Sequence, residues 1–311
     1  MPITYTEREN LISRHPVLTT KHMVPTPTIE SIYGMVRERV WLYRPSMYMY
    51  AKPRMGKTTC AVAIKFLLNA EFSNKYVEIL SADTTKKSTL CRDLAAELGL
   101  HFSLRANVAS VVDLLITHII CELDELGGDH FVLIIDEMQA LQEPAYNELL
   151  LLQNRLGIRG IKLTTVGFSQ PEINNERTAL MVAGATNLIE RFLSEPIVFK
   201  GCDGVKWLSK VLRSYDEDLQ FPEGECTYTE FFFPEAFGAG MRLVQSSELI
   251  WETVREVAGK AGSKNLQVEQ VFRVIQELLV SMRSRDCAGF RIEKKDIAGV
   301  LDKLSLADTL A

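Results

Sequence analysis

At 311 residues and 47% hydrophobic composition, the chain is long enough to form a sizeable core and more than one globular unit. Its formal net charge of −5 argues against a protein that coats nucleic acid by bulk positive charge. The N-terminus has no apolar signal segment, and the longest strongly apolar run, FVLIID, is far shorter than the roughly 20 residues that cross a bilayer. The six cysteines form no C-x-x-C pair. We therefore expect a cytoplasmic protein with no membrane segment, disulfide framework or zinc cluster.

The first part of the chain predicts an irregular arm followed by strands that alternate with helices. Pro16, Pro25 and Pro27 punctuate HPVLTTKHMVPTPTIE, and apolar residues then recur at helical spacing from residue 27. The helical patterns lie at 27–41, 58–72, 88–99, 108–126 and 144–156. Apolar runs typical of buried strands lie at 46–51, 76–82, 130–136, 161–167 and 195–199.

Strands that alternate with helices indicate parallel pairing through right-handed crossovers, and hence a three-layer α/β domain with a parallel sheet. After Lys200 the remainder is mostly helical, apart from a polar and aromatic stretch at 216–233. Helical patterns lie at 203–215, 240–258, 266–284 and 293–304. We therefore expect an N-terminal arm (1–26), an α/β domain (27–200) and a small helical lid domain (201–311).

A candidate phosphate-binding loop, YAKPRMGKTTC, lies between the first predicted strand and the helix after it. It differs from G-x-x-x-x-G-K-[ST] only at Ala51, whose methyl group is tolerable if the backbone φ there is negative. Lys57 is expected to reach the β- and γ-phosphates, and Thr58 to hold Mg²⁺ through its hydroxyl. The alternative is a chance Gly-Lys-Thr at a helix start. The residues expected to bind ATP are Ala51, Lys52, Pro53, Arg54, Met55, Gly56, Lys57, Thr58 and Thr59.

Two adjacent acids follow the apolar strand HFVLIID, and they supply the second half of such a site. A P-loop ATPase needs one acid to orient Mg²⁺ and another to polarise the attacking water. Asp136 fits the first role and Glu137 the second. An acid at a strand end is only suggestive alone, but both motifs in this order make a chance match improbable.

Three later features extend the pattern. The strand IKLTTVGFSQ ends in polar residues, where Ser169, or failing that Thr165, is placed to sense the γ-phosphate. Arg191 precedes the last predicted strand, where it could project onto a neighbour's nucleotide. Arg242 follows a glycine-rich turn at the start of a predicted lid helix, where it could fold down on the phosphates. Either arginine alone is more typical of a surface salt bridge, and it is the order relative to the first two motifs that favours these roles.

Together the motifs AKPRMGKT, LIIDE, TTVGFSQ, IERF and GAGMR resemble the Walker A, Walker B, sensor 1, arginine-finger and sensor 2 elements of AAA+ ATPases. Within that superfamily the chain resembles transposition regulators of the TniB and TnsC type over about residues 15–305. The points of similarity are its length, the arm, LIIDEMQAL, the run from VGFSQPEI to NLIERF and the short helical lid.

The resemblance implies an ATPase that uses ATP and Mg²⁺ and assembles on double-stranded DNA, as a ring or a helical filament. Such a regulator marks target DNA, cooperates with a target-selection protein, recruits a transposase and releases it on hydrolysis. Arg191 of one subunit would complete the nucleotide site of the next. Basic residues in segments that face the pore of related ATPases would contact DNA: Lys86, Lys87 and Arg105. The alternative for these three residues is solvated loop charge.

Two other functions remain open from the sequence. One is an AAA+ ATPase of another process, such as replication initiation, helicase loading or secretion. The other is a nucleotide-dependent switch or scaffold that hardly hydrolyses ATP, although Lys57, Asp136 and Glu137 argue against it.

Overall fold

The computed structural model describes residues 5–19, 23–83, 89–103, 105–259 and 266–304. The chain divides into two compact units. The α/β unit comprises Ser31–Pro53 and Lys57–Phe199, and the helical unit comprises Met1–Glu30, Arg54–Gly56 and Lys200–Ala311.

The described residues form fifteen α-helices and five strands. The helices are α1 (Tyr5–Leu11), α2 (Pro16–Thr19), α3 (Pro27–Trp41), α4 (Lys57–Glu71), α5 (Leu90–Glu97), α6 (Val108–Leu126), α7 (Glu143–Ile158), α8 (Ile173–Val182), α9 (Thr186–Phe192), α10 (Val205–Glu217), α11 (Tyr228–Phe232), α12 (Pro234–Gly238), α13 (Ser247–Gly259), α14 (Val268–Met282) and α15 (Lys294–Lys303). The strands are β1 (Ser46–Tyr50), β2 (Lys75–Ser81), β3 (His130–Asp136), β4 (Lys162–Ser169) and β5 (Pro196–Val198).

The five strands form one parallel sheet in the order β2-β3-β4-β1-β5, which confirms the predicted α/β fold with a parallel sheet. Tyr50 of β1 is in register with Ser169 of β4, and Ser81 of β2 with Asp136 of β3. The carboxyl ends of these strands therefore meet at one edge of the sheet. In open parallel sheets this edge is where ligands bind.

The core of the α/β unit is built around β3, whose seven residues are all buried. A strand covered by helices on both faces needs apolar side chains at consecutive positions, which explains the run FVLII rather than an alternating pattern. The long helix α6 is bounded by local signals. Its N-cap Asn107 accepts a hydrogen bond from the Ser110 amide at 2.8 Å, and Gly127 ends it with φ 64°.

The helical unit has a separate hydrophobic core, to which the N-terminal segment contributes. Val17 and Val24 belong to this core, and His15 is fully buried against the rings of Phe221, Tyr228, Phe231 and Phe232 at centroid distances of 4.6 to 4.8 Å. The packing of these residues ties the segment before residue 30 to the C-terminal helices within one unit.

Several segments differ from the sequence prediction. The arm, predicted to be irregular, contains α1 and α2, and the polar stretch at 216–233 contains α11. These helices are seven residues or shorter, too short for hydrophobic periodicity to reveal. Thr227 caps α11 by accepting a hydrogen bond from the Glu230 amide at 3.2 Å. The helix predicted at 240–258 begins at Ser247, because a 3-10 turn at Leu243–Ser246 precedes it.

His130, at the start of β3, is fully buried. Its hydrogen-bond partners determine which ring nitrogen carries the proton. Its Nε2 lies 2.9 Å from the Thr164 hydroxyl, which donates its only proton to the Arg44 carbonyl at 2.6 Å. Nε2 must therefore be the protonated nitrogen that donates to Thr164. The Nδ1 atom is buried with no hydrogen-bond partner among the described residues, so a second proton there would be unsatisfied.

We expect His130 to make the protein sensitive to mild acid. Burial, and next the charge of Lys75, lowers the pKa of His130 to about 3. Between this value and the ordinary pKa of about 6.5 the unfolded chain binds the proton and the folded chain does not. The contribution of neutral His130 to the free energy of unfolding is therefore complete above about pH 6.5. It falls as the pH drops, by about 2 kcal/mol between pH 7 and pH 5.

Urea unfolding of the wild type and His130→Phe at pH 7 and pH 5 checks this prediction. The variant keeps an aromatic ring for the stacking of Tyr43, whose centroid lies 4.7 Å from that of His130. The wild type should lose more stability than the variant on acidification. Equal losses in both proteins would contradict the assignment.

Candidate functional site

The phosphate-binding loop, Asp136 and Ser169 lie together at the carboxyl edge of the sheet. The loop from Ala51 follows β1, Asp136 is the last residue of β3, and Ser169 is the last residue of β4. The Ala51 amide donates to the Ser169 carbonyl at 3.1 Å, which joins the loop to β4. Three segments that are far apart in sequence therefore meet at the start of α4.

Lys57, the first residue of α4, points back into its own loop. Its side chain is 5% exposed, and Nζ donates to the carbonyls of Ala51 at 2.9 Å and Lys52 at 3.0 Å. Burial lowers the pKa of Lys57, against the opposing charges of Glu137 and Asp136. A buried ammonium beside the N-terminal amides of a 15-residue helix favours a bound anion such as a phosphate.

Ala51 does not require the backbone conformation that favours glycine. Among the described non-glycine residues, a positive φ is found at Tyr43, Arg54 and Glu137, and within the loop Gly56 also has φ 90°. The sharp turn of the loop is thus made at Arg54 and Gly56, away from Ala51. A methyl group at residue 51 is compatible with this backbone.

Thr58 and Asp136 form a pair suited to a hard cation. The Thr58 hydroxyl donates to Asp136 Oδ2 at 2.7 Å, and Oδ1 accepts from the Glu137 amide at 3.0 Å. Burial raises the pKa of Asp136, while these two hydrogen bonds oppose the shift. A hydroxyl and a carboxylate that already meet match the oxygen ligands of Mg²⁺, which retains water and phosphate in its remaining positions.

Glu137 is held by two glutamine side chains that the sequence reasoning did not single out. Gln170 Nε2 donates to Glu137 Oε2 at 3.0 Å, and the amide of Gln139 also donates to Oε2. The backbone of Glu137 is left-handed, with φ 54°, which is unusual for a residue with a side chain. A signal existed in the sequence, since both glutamines follow the ends of neighbouring strands in DEMQ and FSQ.

The structure separates the two candidate phosphate sensors. Ser169 is fully buried beside the loop, and its hydroxyl lies 3.1 Å from Gln139 Oε1 and 3.0 Å from the Gln170 carbonyl oxygen, either of which can accept its one proton. Thr165 is in register with Ser46, the first residue of β1, about 13 Å from the loop edge at the usual rise per strand residue. Of the two side chains, only that of Ser169 lies at the candidate site.

Arg191 lies at the opposite edge of the sheet from the loop of its own chain. The Ser46 hydroxyl, at the start of β1, donates to the Arg191 carbonyl. The exposed guanidinium of Arg191 donates to Gln153 at 2.9 Å and Asn154 at 3.4 Å on α7. The side chain is therefore on the surface, where it is hydrogen-bonded to α7 of the same chain.

Arg54, Met55, Gly56 and Arg242 belong to the helical unit. The Arg242 guanidinium stacks on the Phe237 ring, 3.7 Å from its centroid, and donates to the carbonyls of Phe237 at 2.9 Å and Met241 at 2.7 Å. Arg242 is thus engaged within its own unit. The neighbouring backbone is fixed by buried Asp216, which accepts from the amides of Leu243 and Val244 at 2.9 and 3.0 Å.

Of the predicted DNA contacts, only Arg105 can be located. It is exposed before α6, and its amide donates to the Ser103 hydroxyl at 3.2 Å. Lys86 and Lys87 lie outside the described residues.

The part of the chain that the structure describes has neither a membrane-spanning helix nor a preformed cluster of metal ligands. No helix there is long and apolar enough to cross a membrane. No group of three or more His, Cys, Asp or Glu side chains in those ranges could by itself hold a metal ion.

Comparison with known proteins agrees with the geometry. The AAA domain family model matches residues 42–175. The structure resembles the Aeropyrum pernix ORC2 protein (ADPNP-ADP complexes) with a TM-score of 0.60 and 12% identity, covering 93% of this chain and 71% of that chain. It also resembles Pyrobaculum aerophilum Cdc6p with a TM-score of 0.57 and 13% identity, covering 92% and 70%.

A third similar structure is the Aeropyrum pernix ORC1 protein in complex with DNA, with a TM-score of 0.54 and 13% identity over 93% of this chain and 69% of that chain. No curated protein sequence matches the chain. The chain combines a five-stranded parallel sheet, a P-loop between β1 and α4, and a match to the AAA domain model over residues 42–175. It therefore has the AAA+ P-loop NTPase fold.

Proposed function

We propose that the protein is an ATPase that hydrolyses ATP to ADP and phosphate. The observation that carries this proposal is the convergence of Lys57, Asp136, Glu137 and Ser169 at the carboxyl edge of one parallel sheet. A protein that only bound ATP would need only the phosphate-binding loop and Lys57. The two acids and the polar end of β4 add the groups that phosphoryl transfer to water requires.

The side chains divide the chemistry among them. Lys57 exchanges its two carbonyl partners for the β- and γ-phosphates, and loop residues 51–59 cradle the phosphates. Thr58 and Asp136 are placed to hold Mg²⁺, which would neutralise charge on the phosphate oxygens. Glu137 takes a proton from the attacking water, and Ser169 donates a hydrogen bond to the γ-phosphate.

We propose that the active form is an oligomer with nucleotide between subunits. Because Arg191 lies at the far edge of the sheet from its own loop, it can complete only the site of a neighbour. An interface in which different surfaces of identical subunits meet produces rings or open helical filaments. Arg242 would act within its own chain after leaving Phe237.

The proposed role of this assembly is ATP-controlled regulation of transposition on double-stranded DNA. The motif pattern and arm of the TniB and TnsC type support it, and a transposase and a target-selection protein are the implied partners. The proposed site of action is the cytoplasm. Assembly would let a chain of net charge −5 hold DNA, because each subunit need supply only one or two phosphate contacts, with Lys86, Lys87 and Arg105 as candidates.

A second candidate process is replication initiation or helicase loading. It is favoured by the similarity in fold to ORC2, solved with ADPNP and ADP, and to ORC1, solved with DNA. Both processes use the same proposed site and differ in the partner. Affinity purification from the native host separates them, since recovery of a transposase supports the first and recovery of a helicase the second.

We expect ATP-dependent assembly on duplex DNA. Electron microscopy with a slowly hydrolysed ATP analogue should show rings or filaments on DNA, and the assemblies should dissociate as the salt concentration rises. Lys57→Ala should remain unassembled because its loop lacks the phosphate-binding ammonium. Lys206→Ala, at an exposed lysine on α10 of the helical unit, is the matched control and should assemble normally. Monomers alone under all conditions would refute the oligomeric proposal.

A further inference from the structure

The carboxylate of Glu137 is oriented through one of its two oxygens. Among the described residues, the amide groups of Gln139 and Gln170 both donate to Oε2, and none donates to Oε1. One oxygen is therefore fixed, while the other stays available to accept a proton from water. The left-handed backbone of Glu137 adds a local cost that the surrounding contacts must offset.

The orientation of the Gln139 amide is determined by its partners. Gln139 Oε1 accepts from the Gln170 backbone amide at 2.8 Å, and a backbone N–H can only donate. The same oxygen accepts from the Ser169 hydroxyl at 3.1 Å. Reversing the side-chain amide would set N–H against N–H and oxygen against the carboxylate, so Nε2 must face Glu137.

Gln139 thus connects the ends of two strands. One side of its amide contacts Ser169 at the end of β4, and the other side contacts Glu137 just after β3. The Ser169 hydroxyl has one proton, which it directs to either Gln139 or the Gln170 carbonyl. A phosphate that accepted this proton would make it unavailable to both of these acceptors, including Gln139.

We propose that Gln139 is a positioning residue that couples the phosphate-sensing Ser169 to the base Glu137. The inference rests on the proposed ATP hydrolysis. When Ser169 turns to a γ-phosphate, the Gln139 amide loses one donor and shifts its hydrogen bonding to Glu137. The orientation of the base thereby depends on whether a γ-phosphate is present.

Substitutions at Gln139 test the contact with the base. We expect Gln139→Leu to lower kcat about tenfold with KM for ATP changed less than about twofold, as for other residues that orient a functional side chain. Gln139→Glu should be slower still, because it places a second negative charge against Glu137. If the role of Gln139 were purely structural, Gln139→Glu would be faster than Gln139→Leu, because a glutamate could still accept hydrogen bonds from Ser169 and Gln170. Gln142→Leu, at an exposed glutamine nearby, is the matched control and should match the wild type.

A double-mutant cycle tests the coupling to Ser169. If Gln139 transmits the state of Ser169, then Ser169→Ala combined with Gln139→Leu should be no more than about twofold slower than the slower single variant. Effects that multiply would show two independent roles and overturn the coupling.

The outcomes also separate this inference from the proposed function. If the wild type hydrolyses no more ATP than Lys57→Ala, the proposed ATPase activity fails. If the wild type is active, Lys57→Ala is inactive and Gln139→Leu equals the wild type, the ATPase proposal stands and the inference about Gln139 fails.

Discussion

Glu137→Gln is expected to lower kcat for ATP hydrolysis about 100-fold or more, the usual range for a general base, while ATP still binds. The substitution removes the group that accepts the proton from water. It leaves an oxygen that can accept from Gln139 and Gln170, and it leaves Lys57, Thr58 and Asp136 unchanged. The loss should therefore be confined to the chemical step.

Single-turnover hydrolysis and equilibrium binding of a fluorescent ATP analogue measure the two properties separately. Glu143→Gln is the matched control, because Glu143 is exposed at the start of α7 and should be replaceable without effect. On DNA, Glu137→Gln should form longer-lived assemblies than the wild type. If kcat is instead unchanged, Glu137 is not the base, and a switch that hardly hydrolyses ATP becomes the better description.

The sequence predicted those parts of the fold that local signals determine. The bounds of α6 and β3 agree with the prediction to the residue, because Asn107 and Gly127 cap the helix and polar residues border the apolar strand. The Gly-Lys-Thr and the paired acids were recognisable because each follows an apolar run. Parallel pairing then brings the ends of these runs to one edge.

The remaining features depend on packing that no local pattern encodes. The amide of Gln170 reaches Glu137 only because β3 and β4 are neighbours in a particular register. The short helices α8 and α9 were not predicted, since ten and seven residues give little periodicity. The proton position on His130 follows from Thr164, a residue of the adjacent strand.

Arg191→Ala is expected to lower the kcat of the assembled protein about 1000-fold, the lower end of the range for an arginine that completes a site in trans. The expectation follows from its place at the far edge of the sheet from its own loop, since the proposed head-to-tail assembly would bring a neighbour's phosphates to it. Loss of its exposed hydrogen bonds to Gln153 and Asn154 should hardly affect folding. Arg159→Ala, at another exposed arginine of the α/β unit, should retain activity.

Mixing two inactive variants distinguishes this role from any effect within one chain. Glu137→Gln retains the arginine and lacks the base, whereas Arg191→Ala retains the base and lacks the arginine. In a one-to-one mixture of freely exchanging subunits, about one quarter of the interfaces combine a base from one variant with an arginine from the other. Activity should therefore return to about a quarter of the wild-type value, whereas an arginine that acted on its own nucleotide would give no recovery at any ratio. Recovery would establish that each nucleotide site is shared by two subunits arranged head to tail.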